Sequence, residues 1–333
     1  METRGTPLIS AVRCGPENEL WFKLESLQPS GSYKDRFVAE EIRLLKARGV
    51  RTCVATSSGN TGAALATYCA RAGLRAVICV NADAPAGKLM QMRAHGATVV
   101  RIPEFASRPE VTTGVFAQLR AFTEAHPEVA LVVSAFAYCP KGMAGVAGIS
   151  SELMRERPFL DHVFVPVGGG GLYTAVCPGF GPGSERIHAV QPEGCPTLLN
   201  AVKTGRVEPV TSTTRVSGLS VPFDIDASLA LEHLRAARGE AIGVSDEEVF
   251  AAQRDLMLLE GICAEPAGAA AFAGYRKARA AGIVQPGEQS VCLVTGHGWK
   301  DPASMGVVAE RIDSPSVDAS ALTGLLERLR TPA

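Results

Sequence analysis

The first residue in this sequence with distinctive chemistry is a lysine at the start of a predicted helix. A turn-forming stretch, residues 30–33, delivers Lys34 to a segment in which apolar residues recur with a helical period as far as Gly49. The helix dipole is positive at this end and disfavours a cation. A lysine that is deprotonated there can attack an aldehyde and form a Schiff base. The alternative is a surface lysine that simply tolerates the position.

A second turn combines small hydroxyl residues with glycines before another predicted helix. It contains Ser57, Ser58, Asn60 and Thr61 within the stretch TSSGNTG. Free N–H groups at a helix start can hold a carboxylate, and glycines let a ligand approach the backbone. An ordinary N-cap by Ser58 or Asn60 explains the pattern equally well.

Four consecutive glycines, Gly168, Gly169, Gly170 and Gly171, follow an apolar segment at 163–167. Each costs ~0.5–1 kcal/mol relative to alanine in a regular element, so a bare backbone must serve a purpose. Successive N–H groups at a helix N-terminus can cradle a phosphate; a tight turn with positive φ is the alternative. The run lacks the lysine and hydroxyl of a nucleoside triphosphatase loop, and also a dinucleotide-binding fingerprint. A phosphate is therefore favoured over a nucleotide.

The last such turn, TGHGWKDP, ends a predicted core strand at 290–295. The Thr295 hydroxyl can pair with a ring nitrogen without carrying charge. His297 could be catalytic, but a histidine between glycines more often serves as a hydrogen-bond partner of the backbone. A Schiff-base lysine, a phosphate cradle and a neutral partner for a pyridine nitrogen together match the needs of pyridoxal 5'-phosphate.

Composition excludes several other classes of function. The chain has 333 residues and a formal net charge of −1, so it offers no basic surface for nucleic acid or an anionic membrane. It contains no apolar run of membrane-spanning length, and residues 1–7 lack the apolar region of a secretory signal. We expect a soluble, cytoplasmic protein.

The nine cysteines predict neither disulfides nor a metal site. They are scattered without any C-x-x-C pair. Cys53, Cys69, Cys79 and Cys292 fall inside apolar stretches. We expect buried free thiols in a reducing compartment, and no bound metal.

The elements that position these turns alternate between strand and helix. Predicted strands lie at 19–25, 50–56, 75–80, 97–102, 130–133, 163–167, 187–191 and 290–295. Predicted helices lie at 35–49, 60–73, 85–95, 111–126, 246–260 and 266–281, and a loop with one short amphipathic helix ends the chain at 314–333. Strands separated by helices of this length indicate βαβ units and a parallel sheet. Residues 45–145 form a compact set that we expect to be the smaller lobe, with 1–44 and 146–333 as the larger.

Several motifs in the same order resemble those of a known family. They are KLESLQPSGSYKDR, TSSGNTGAALATYCARAGL, APAGKLMQMRAHGATVV, VPVGGGGL, EPAGAAAFAG and TGHGWKDP. With GTPL at Gly5 they cover nearly the whole chain, and they are similar to fold-type II pyridoxal-phosphate enzymes, in particular those of the threonine synthase type. The resemblance implies an α/β fold of two lobes, each with a mostly parallel sheet flanked by helices. It also implies a cofactor in the cleft between the lobes, and a homodimer.

The resemblance also implies a role for each motif residue. Lys34 would carry the Schiff base, Asn60 would bond the phenolic oxygen of the cofactor, and Thr295 would face its pyridine nitrogen. Gly168 to Gly171 would hold the phosphate. The substrate-binding residues implied are Ser57, Ser58 and Thr61 for the carboxylate, and Ser134, Cys139 and Lys141 for the rest of the pocket.

The sequence departs from the threonine synthase pattern in the predicted substrate pocket. Those enzymes usually carry N-P-x-R-x-E-G, whereas this chain has Cys139 in place of the arginine and Lys141 in place of the glutamate. The loss of a guanidinium removes charge-assisted hydrogen bonds to a phosphate worth ~1.5–3 kcal/mol each. A lysine at a neighbouring position cannot replace the paired N–H donors of an arginine. Leu172 after the glycines, and Phe37 after KDR, also differ from the usual asparagine and glycine. We expect a relative with a different substrate.

The predicted activity is a lyase reaction on a small amino acid, with elimination or replacement at the β or γ carbon. A true threonine synthase, a serine or threonine dehydratase and a β-replacement synthase of a specialised pathway all stay open. A cofactor-binding or amino-acid-sensing protein without turnover is a further class, but a sensor would not need the Schiff-base lysine. A nucleotide-binding α/β protein is the weakest alternative, because the fingerprints are missing.

Overall fold

The computed structural model describes residues 5–181 and 185–330. Its strands are short and spread along the chain. They are β1 (Leu8–Ser10), β2 (Leu20–Lys23), β3 (Thr52–Ala55), β4 (Arg75–Asn81), β5 (Thr98–Ile102), β6 (Val129–Leu131), β7 (His162–Pro166), β8 (Arg186–Pro192), β9 (Ala241–Val244) and β10 (Ser290–Leu293).

Helices connect most of these strands. They are α1 (Lys34–Ala47), α2 (Asn60–Ala72), α3 (Ala86–Ala94), α4 (Pro109–Ala125), α5 (Pro140–Ala144), α6 (Gly148–Glu156), α7 (Gly171–Val176), α8 (Thr197–Thr204), α9 (Ala227–Ala236), α10 (Asp246–Glu260), α11 (Pro266–Ala280), α12 (Pro302–Ala309) and α13 (Leu322–Leu329). Within the described ranges, none of these helices is both long and apolar enough to cross a membrane.

In the described residues the strands form two sheets. The larger has six strands in the order β1-β2-β10-β7-β8-β9, and its only antiparallel pair is β1 with β2. The smaller has four parallel strands in the order β5-β4-β3-β6. The predicted α/β class with mostly parallel sheets is confirmed. In a parallel sheet the carboxyl ends of the strands lie at one edge, so the turns after β3, β7 and β10 open on the edges of their sheets where ligands bind.

The predicted division into lobes stays a prediction. The strands of the four-stranded sheet all lie between residues 52 and 131, inside the segment 45–145 predicted as the smaller lobe. Residues 1–4, 182–184 and 331–333 of the predicted larger lobe lie outside the described part of the chain.

Local sequence signals account for where many elements begin. The Ser245 hydroxyl accepts a hydrogen bond from the Glu248 N–H at 3.1 Å, and the Ser245 N–H donates to the Glu248 carboxylate at 2.7 Å. This reciprocal capping box starts α10 as predicted. Helix α11 begins with Pro266 at its first position, where a missing N–H costs nothing. Most of its alanines are buried because it packs against the six-stranded sheet.

The predicted elements are all present, within about three residues at each end. Strands β1 and β9 and helices α5, α6, α8, α9 and α12 were not predicted from the sequence. These elements are short, and β9 has only four residues. Such segments contain too few apolar repeats for a helical or strand period to be recognised. All nine cysteines are free, and the four predicted as buried thiols are buried.

A buried ionic network fixes the first turn of α1, which carries Lys34. The Arg36 side chain is 2% exposed and the Glu25 side chain is fully buried; the two meet at 2.7 Å. Arg36 also contacts Glu152 at 2.7 Å, and the fully buried Lys23 contacts the same carboxylate at 2.8 Å. The network ties α1 to β2 and α6.

A buried histidine pair lies at the opposite end of the six-stranded sheet from the glycine run. The Glu240 N–H donates to Nδ1 of His188 at 3.2 Å, so the neutral ring carries its proton on Nε2. That proton points to Nδ1 of His162 at 2.9 Å, and His162 in turn donates from Nε2 to Glu288 at 2.9 Å. The hydrogen bonds therefore set both tautomers. Burial lowers the pKa of His188 to about 3.

This pair predicts a loss of stability in acid. The pKa of His188 in the folded state lies below the ~6.5 of an unfolded histidine. The contribution of the neutral ring to the free energy of unfolding is therefore full above the unfolded pKa, and it declines as the pH falls toward 3. Between pH 7 and pH 4 the wild-type free energy of unfolding should fall by about 2–3 kcal/mol more than that of His188→Gln. Urea titrations at several pH values measure the difference. The exposed His95→Gln serves as control; equal slopes for wild type and His188→Gln would contradict the prediction.

Candidate active site

Lys34 is the first residue of α1, and its amine has a neutral partner. Its Nζ donates to the Ser134 hydroxyl at 2.7 Å and lies 4.7 Å from the centre of the Tyr33 ring. No side chain caps the N-terminus of α1. The sequence prediction placed both Lys34 and Ser134 in the site, and the structure brings them into contact. The amine is half-buried and is held by a hydroxyl at the positive end of a helix.

The turn before Lys34 is held by the carboxylate that follows it. Asp35 is fully buried and accepts hydrogen bonds from the Ser30 N–H at 2.7 Å and from the Ser30 hydroxyl. Burial raises the pKa of Asp35 to about 6, and the bonds from Ser30 oppose that shift. Gly31 takes a positive φ of 88° inside this turn, which explains why the predicted turn needs a glycine there.

The second turn joins β3 to α2. Gly59 is the N-cap residue and no side chain caps the helix, so the interpretation of Ser58 or Asn60 as an N-cap is wrong. A side chain at Gly62 would lie 2.1 Å from the Ser57 carbonyl oxygen, so only glycine lets the turn fold over α2. Asn60 instead donates to Glu265 at 2.6 Å. Ser57, Ser58 and Thr61 all lie at the start of α2, where helix N–H groups lack partners.

The glycine run joins β7 to α7. Gly170 has a positive φ of 94°, and a Cβ there would lie 2.6 Å from the Asp226 carbonyl oxygen. The run is bare partly because Gly170 takes a positive φ, as the tight-turn alternative required, and partly because the segment around Asp226 packs on it. Among the described residues, none accepts a hydrogen bond from the backbone N–H of Gly168, Gly169 or Gly170. These orphaned donors beside a helix N-terminus suit a phosphate.

The third turn follows β10 and lies against the lysine turn. Thr295 is 4% exposed; its hydroxyl donates to the Ala267 carbonyl at 3.4 Å, and its own carbonyl accepts from the Tyr33 N–H at 3.0 Å. His297 accepts a hydrogen bond from the Trp299 N–H at 3.2 Å. The histidine therefore acts as a backbone partner within its turn, the more common of the two roles considered for it.

The residues present fit pyridoxal phosphate. The site offers an amine bonded to a hydroxyl, unsatisfied amide donors for a phosphate, and a neutral buried hydroxyl. The family described as pyridoxal-phosphate dependent enzyme matches residues 1–296. The chain belongs to this family.

Relatives and solved structures refine the assignment within the family. Threonine synthase from Methanosarcina acetivorans is 32% identical over 323 residues, covering 92% of this chain and 77% of that protein. Threonine synthase from Halalkalibacterium halodurans is 32% identical over 308 residues, covering 89% and 83%. The chain is a threonine synthase-like lyase that uses pyridoxal 5'-phosphate.

The fold is that of fold-type II pyridoxal-phosphate enzymes. Maize serine racemase superposes with a TM-score of 0.76 at 23% identity, covering 98% of this chain and 93% of that chain. O-ureido-L-serine synthase superposes with a TM-score of 0.77 at 22% identity, covering 95% and 96%. The predicted fold type is confirmed.

Two side chains beside the lysine turn were missed by the sequence analysis of this pyridoxal-phosphate enzyme. Lys300 donates to the Gln91 side-chain oxygen at 2.6 Å, and the Gln91 amide donates to the Ser30 carbonyl at 2.9 Å. Burial lowers the pKa of Lys300, and the nearby carboxylates Glu265 and Asp35 oppose the shift. Lys300 lies within TGHGWKDP and Gln91 within APAGKLMQMRAHGATVV, so their places in these motifs were the available signal.

Two residues predicted to line the substrate pocket, Cys139 and Lys141, make no hydrogen bond or ion pair with Lys34 in the described part of the chain. Cys139 is 4% exposed and lies near Glu41 and the Leu131 carbonyl oxygen, 4.0 Å away. Burial raises the pKa of its thiol to about 12. Lys141 is exposed on α5. Within the described ranges, no group of three or more His, Cys, Asp or Glu residues is arranged to hold a metal.

Proposed function

We propose that this enzyme catalyses elimination or replacement at the β or γ carbon of a small amino acid, and that Lys34 is both covalent anchor and base. The observation that carries the proposal is the 2.7 Å contact between the Lys34 amine and the Ser134 hydroxyl at the start of α1. A lysine amine can attack an aldehyde, and a hydroxyl partner can hold it in position without forming an ion pair.

Each group of the site has a distinct task in this reaction. Pyridoxal phosphate, when bound, withdraws electrons from the α-carbon of an amino acid and so acidifies its α-proton. Nζ of Lys34 takes that proton, and Ser134 keeps the amine in place. The hydroxyls of Ser57, Ser58 and Thr61 and the N–H groups at the start of α2 hold the substrate carboxylate.

The remaining residues hold the cofactor. The N–H groups of Gly168 to Gly171 would bind its phosphate, and one hydrogen of the Asn60 amide would reach its phenolic oxygen while the other stays on Glu265. Thr295 would face the pyridine nitrogen. Because a hydroxyl carries no charge, it would leave that nitrogen largely unprotonated, a state that suits elimination and replacement rather than transamination.

The proposed substrate carries no phosphate group. Cys139, which stands in place of the usual arginine, is buried beside Glu41, and Lys141 is exposed. The other cation close to the site, Lys300, is already bonded to Gln91. A phosphate leaving group would therefore lack the bidentate contact that a guanidinium gives. The threonine synthase reaction remains the second candidate, favoured by the 32% identity to enzymes of that name.

A substrate panel tests the choice. With the cofactor-loaded protein, O-phosphohomoserine should give a kcat/KM at least about 100-fold below that of the best unphosphorylated amino acid, since the charge-assisted contacts are missing. Assays for phosphate, ammonia and keto acid, together with the cofactor's absorbance, identify the reaction. Threonine formation from O-phosphohomoserine as the fastest reaction would contradict the proposal. Loss of that phosphate release in Lys141→Ala would then identify Lys141 as the replacement for the arginine.

We further propose that the enzyme is a cytoplasmic homodimer whose smaller lobe spans residues 45–145, with the larger lobe formed by 1–44 and 146–333. Support for the lobes comes from the four-stranded sheet, whose strands lie between residues 52 and 131. Nine free cysteines, seven of them buried, suit a reducing compartment. The dimer rests on the family resemblance.

A further inference from the structure

Asp226 occupies a helix start but does not cap its own helix. It is the N-cap residue of α9, the position at which an aspartate side chain ordinarily accepts a bond from the first turn, yet no such bond is present. Asp224 instead accepts from the Ser228 N–H at 3.1 Å and from the Ser228 hydroxyl. The Asp226 carboxylate is thereby left for another partner.

That partner is the turn that carries Ser134. The Phe136 N–H donates to the two carboxylate oxygens of Asp226 at 3.0 and 3.2 Å. Phe136 is two residues from Ser134, which accepts the bond from the Lys34 amine. Asp226 is only 2% exposed, so this is a desolvated bond from a backbone donor to a carboxylate.

The backbone of the same residue is bonded to the glycine run. The Asp226 N–H donates to the Gly169 carbonyl oxygen at 2.8 Å. Side chains at Gly170 and Gly171 would come within 2.6 Å of the Asp226 carbonyl oxygen and 2.7 Å of its carboxylate. The close approach requires bare glycines here. The Lys34 charge acts on Asp226 as well, lowering the pKa that burial raises to about 6.

We propose that Asp226 is a positioning residue that fixes the Ser134 turn against the glycine run, so that the phosphate site and the Lys34 amine engage one cofactor molecule together. This inference rests on the proposed function of Lys34 and the glycine run. When two sites are held in a fixed relative position, a ligand that spans both binds more tightly than a ligand that touches only one. Without the bridge that Asp226 forms between the Ser134 turn and the glycine run, each site keeps its own affinity, but the gain in affinity for the spanning ligand is reduced.

Binding of three probes to Asp226→Ser tests the bridge. Serine is a good N-cap residue, so it supports α9 while being too short to reach the Phe136 N–H. Pyridoxal 5'-phosphate, which engages both sites, should bind about 10-fold more weakly than to wild type, a typical coupling between sites. Pyridoxal, which reaches Lys34 and the ring contacts but not the glycine run, and inorganic phosphate, which engages only the glycine run, should each stay within about twofold of wild type. Absorbance and calorimetric titrations give the three affinities.

Two further variants separate positioning from stability. Asp226→Asn keeps an oxygen that accepts from the Phe136 N–H and should bind pyridoxal phosphate within about twofold of wild type. Asp224→Ala removes the bonds to Ser228, so it should lower the melting temperature and leave the three affinities unchanged.

Three results would overturn the inference: unchanged affinity for pyridoxal phosphate in Asp226→Ser, an equal loss for all three probes, or no rescue by Asp226→Asn. A wild-type protein that does not attach the cofactor to Lys34, shown by borohydride reduction and peptide mass, would overturn the proposed function itself and this inference with it. That result is distinct from the other three, because it appears before any variant is made.

Discussion

Replacement of Lys34 by alanine should lower turnover by about 10³-fold or more, the scale expected when a reaction loses its general base. The same change should abolish covalent attachment of pyridoxal phosphate, because the Lys34 amine, which lies at the start of α1 and 2.7 Å from Ser134, is the proposed nucleophile. Steady-state assays on the best substrate measure the first effect. Borohydride reduction followed by peptide mass measures the second.

The matched control is a lysine on the same helix. Lys46 is exposed near the end of α1 and donates only to the Ala72 carbonyl, at 3.1 Å. Lys46→Ala should therefore keep both turnover and the cofactor adduct. A Lys34→Ala protein that retained the adduct would show that another lysine carries the cofactor, and Lys300, bonded to Gln91 next to the same turn, would be the first to examine. Retained turnover without an adduct would remove the proposed chemistry altogether.

Much of the site could be predicted from the sequence because its main parts are local. The residue types of TSSGNTG, of the glycine run and of the turn before Lys34 report on backbone shape within a few positions, and positive φ at Gly31 and Gly170 bears this out. The strands that end in these turns have apolar runs long enough to be recognised. Parallel strands then bring the turns to the carboxyl edges of the sheets.

The contacts that hold the turns together could not be predicted in this way. Asn60 with Glu265, Lys300 with Gln91, and Asp226 with Phe136 are 205, 209 and 90 residues apart along the chain. No local periodicity connects such pairs, because each depends on the packing of separate elements.

The unusual cysteine shows the same limit. A motif comparison places Cys139 in the substrate pocket by alignment, whereas its burial and the proximity of Glu41 follow only from how α5 packs on α1. An alignment shows which residue of a relative corresponds to Cys139, but only the fold shows which residues surround Cys139 in this chain.

Replacement of Arg36 by alanine should lower the free energy of unfolding by about 3–5 kcal/mol, the usual cost of removing one partner from a buried ion pair. Arg36 lies two residues after Lys34 and donates to both oxygens of Glu25, at 2.7 Å each, and to both oxygens of Glu152, at 2.7 and 2.9 Å. Without it, Glu25 has a buried charge with no cation to pair with it, while Lys23 still pairs with Glu152. Denaturant titration measures the loss.

Arg43→Ala on the same helix is the control that separates burial from charge. Arg43 pairs with Glu40 at 2.6 Å, but its side chain is 53% exposed, so its loss should cost no more than about 1 kcal/mol.

The loss of stability in Arg36→Ala should also shrink in acid. Arg36 and Lys23 hold the pKa of Glu152 at about 2 against the effect of burial, so the wild-type carboxylate stays ionised at pH 5. Loss of Arg36 should raise the pKa of Glu152 in the variant, so this carboxylate takes up a proton more readily in acid and part of the penalty is relieved. If Arg36→Ala lost the same free energy of unfolding at pH 5 and at pH 8, the loss would come from the missing packing of the arginine side chain and not from an unpaired buried charge.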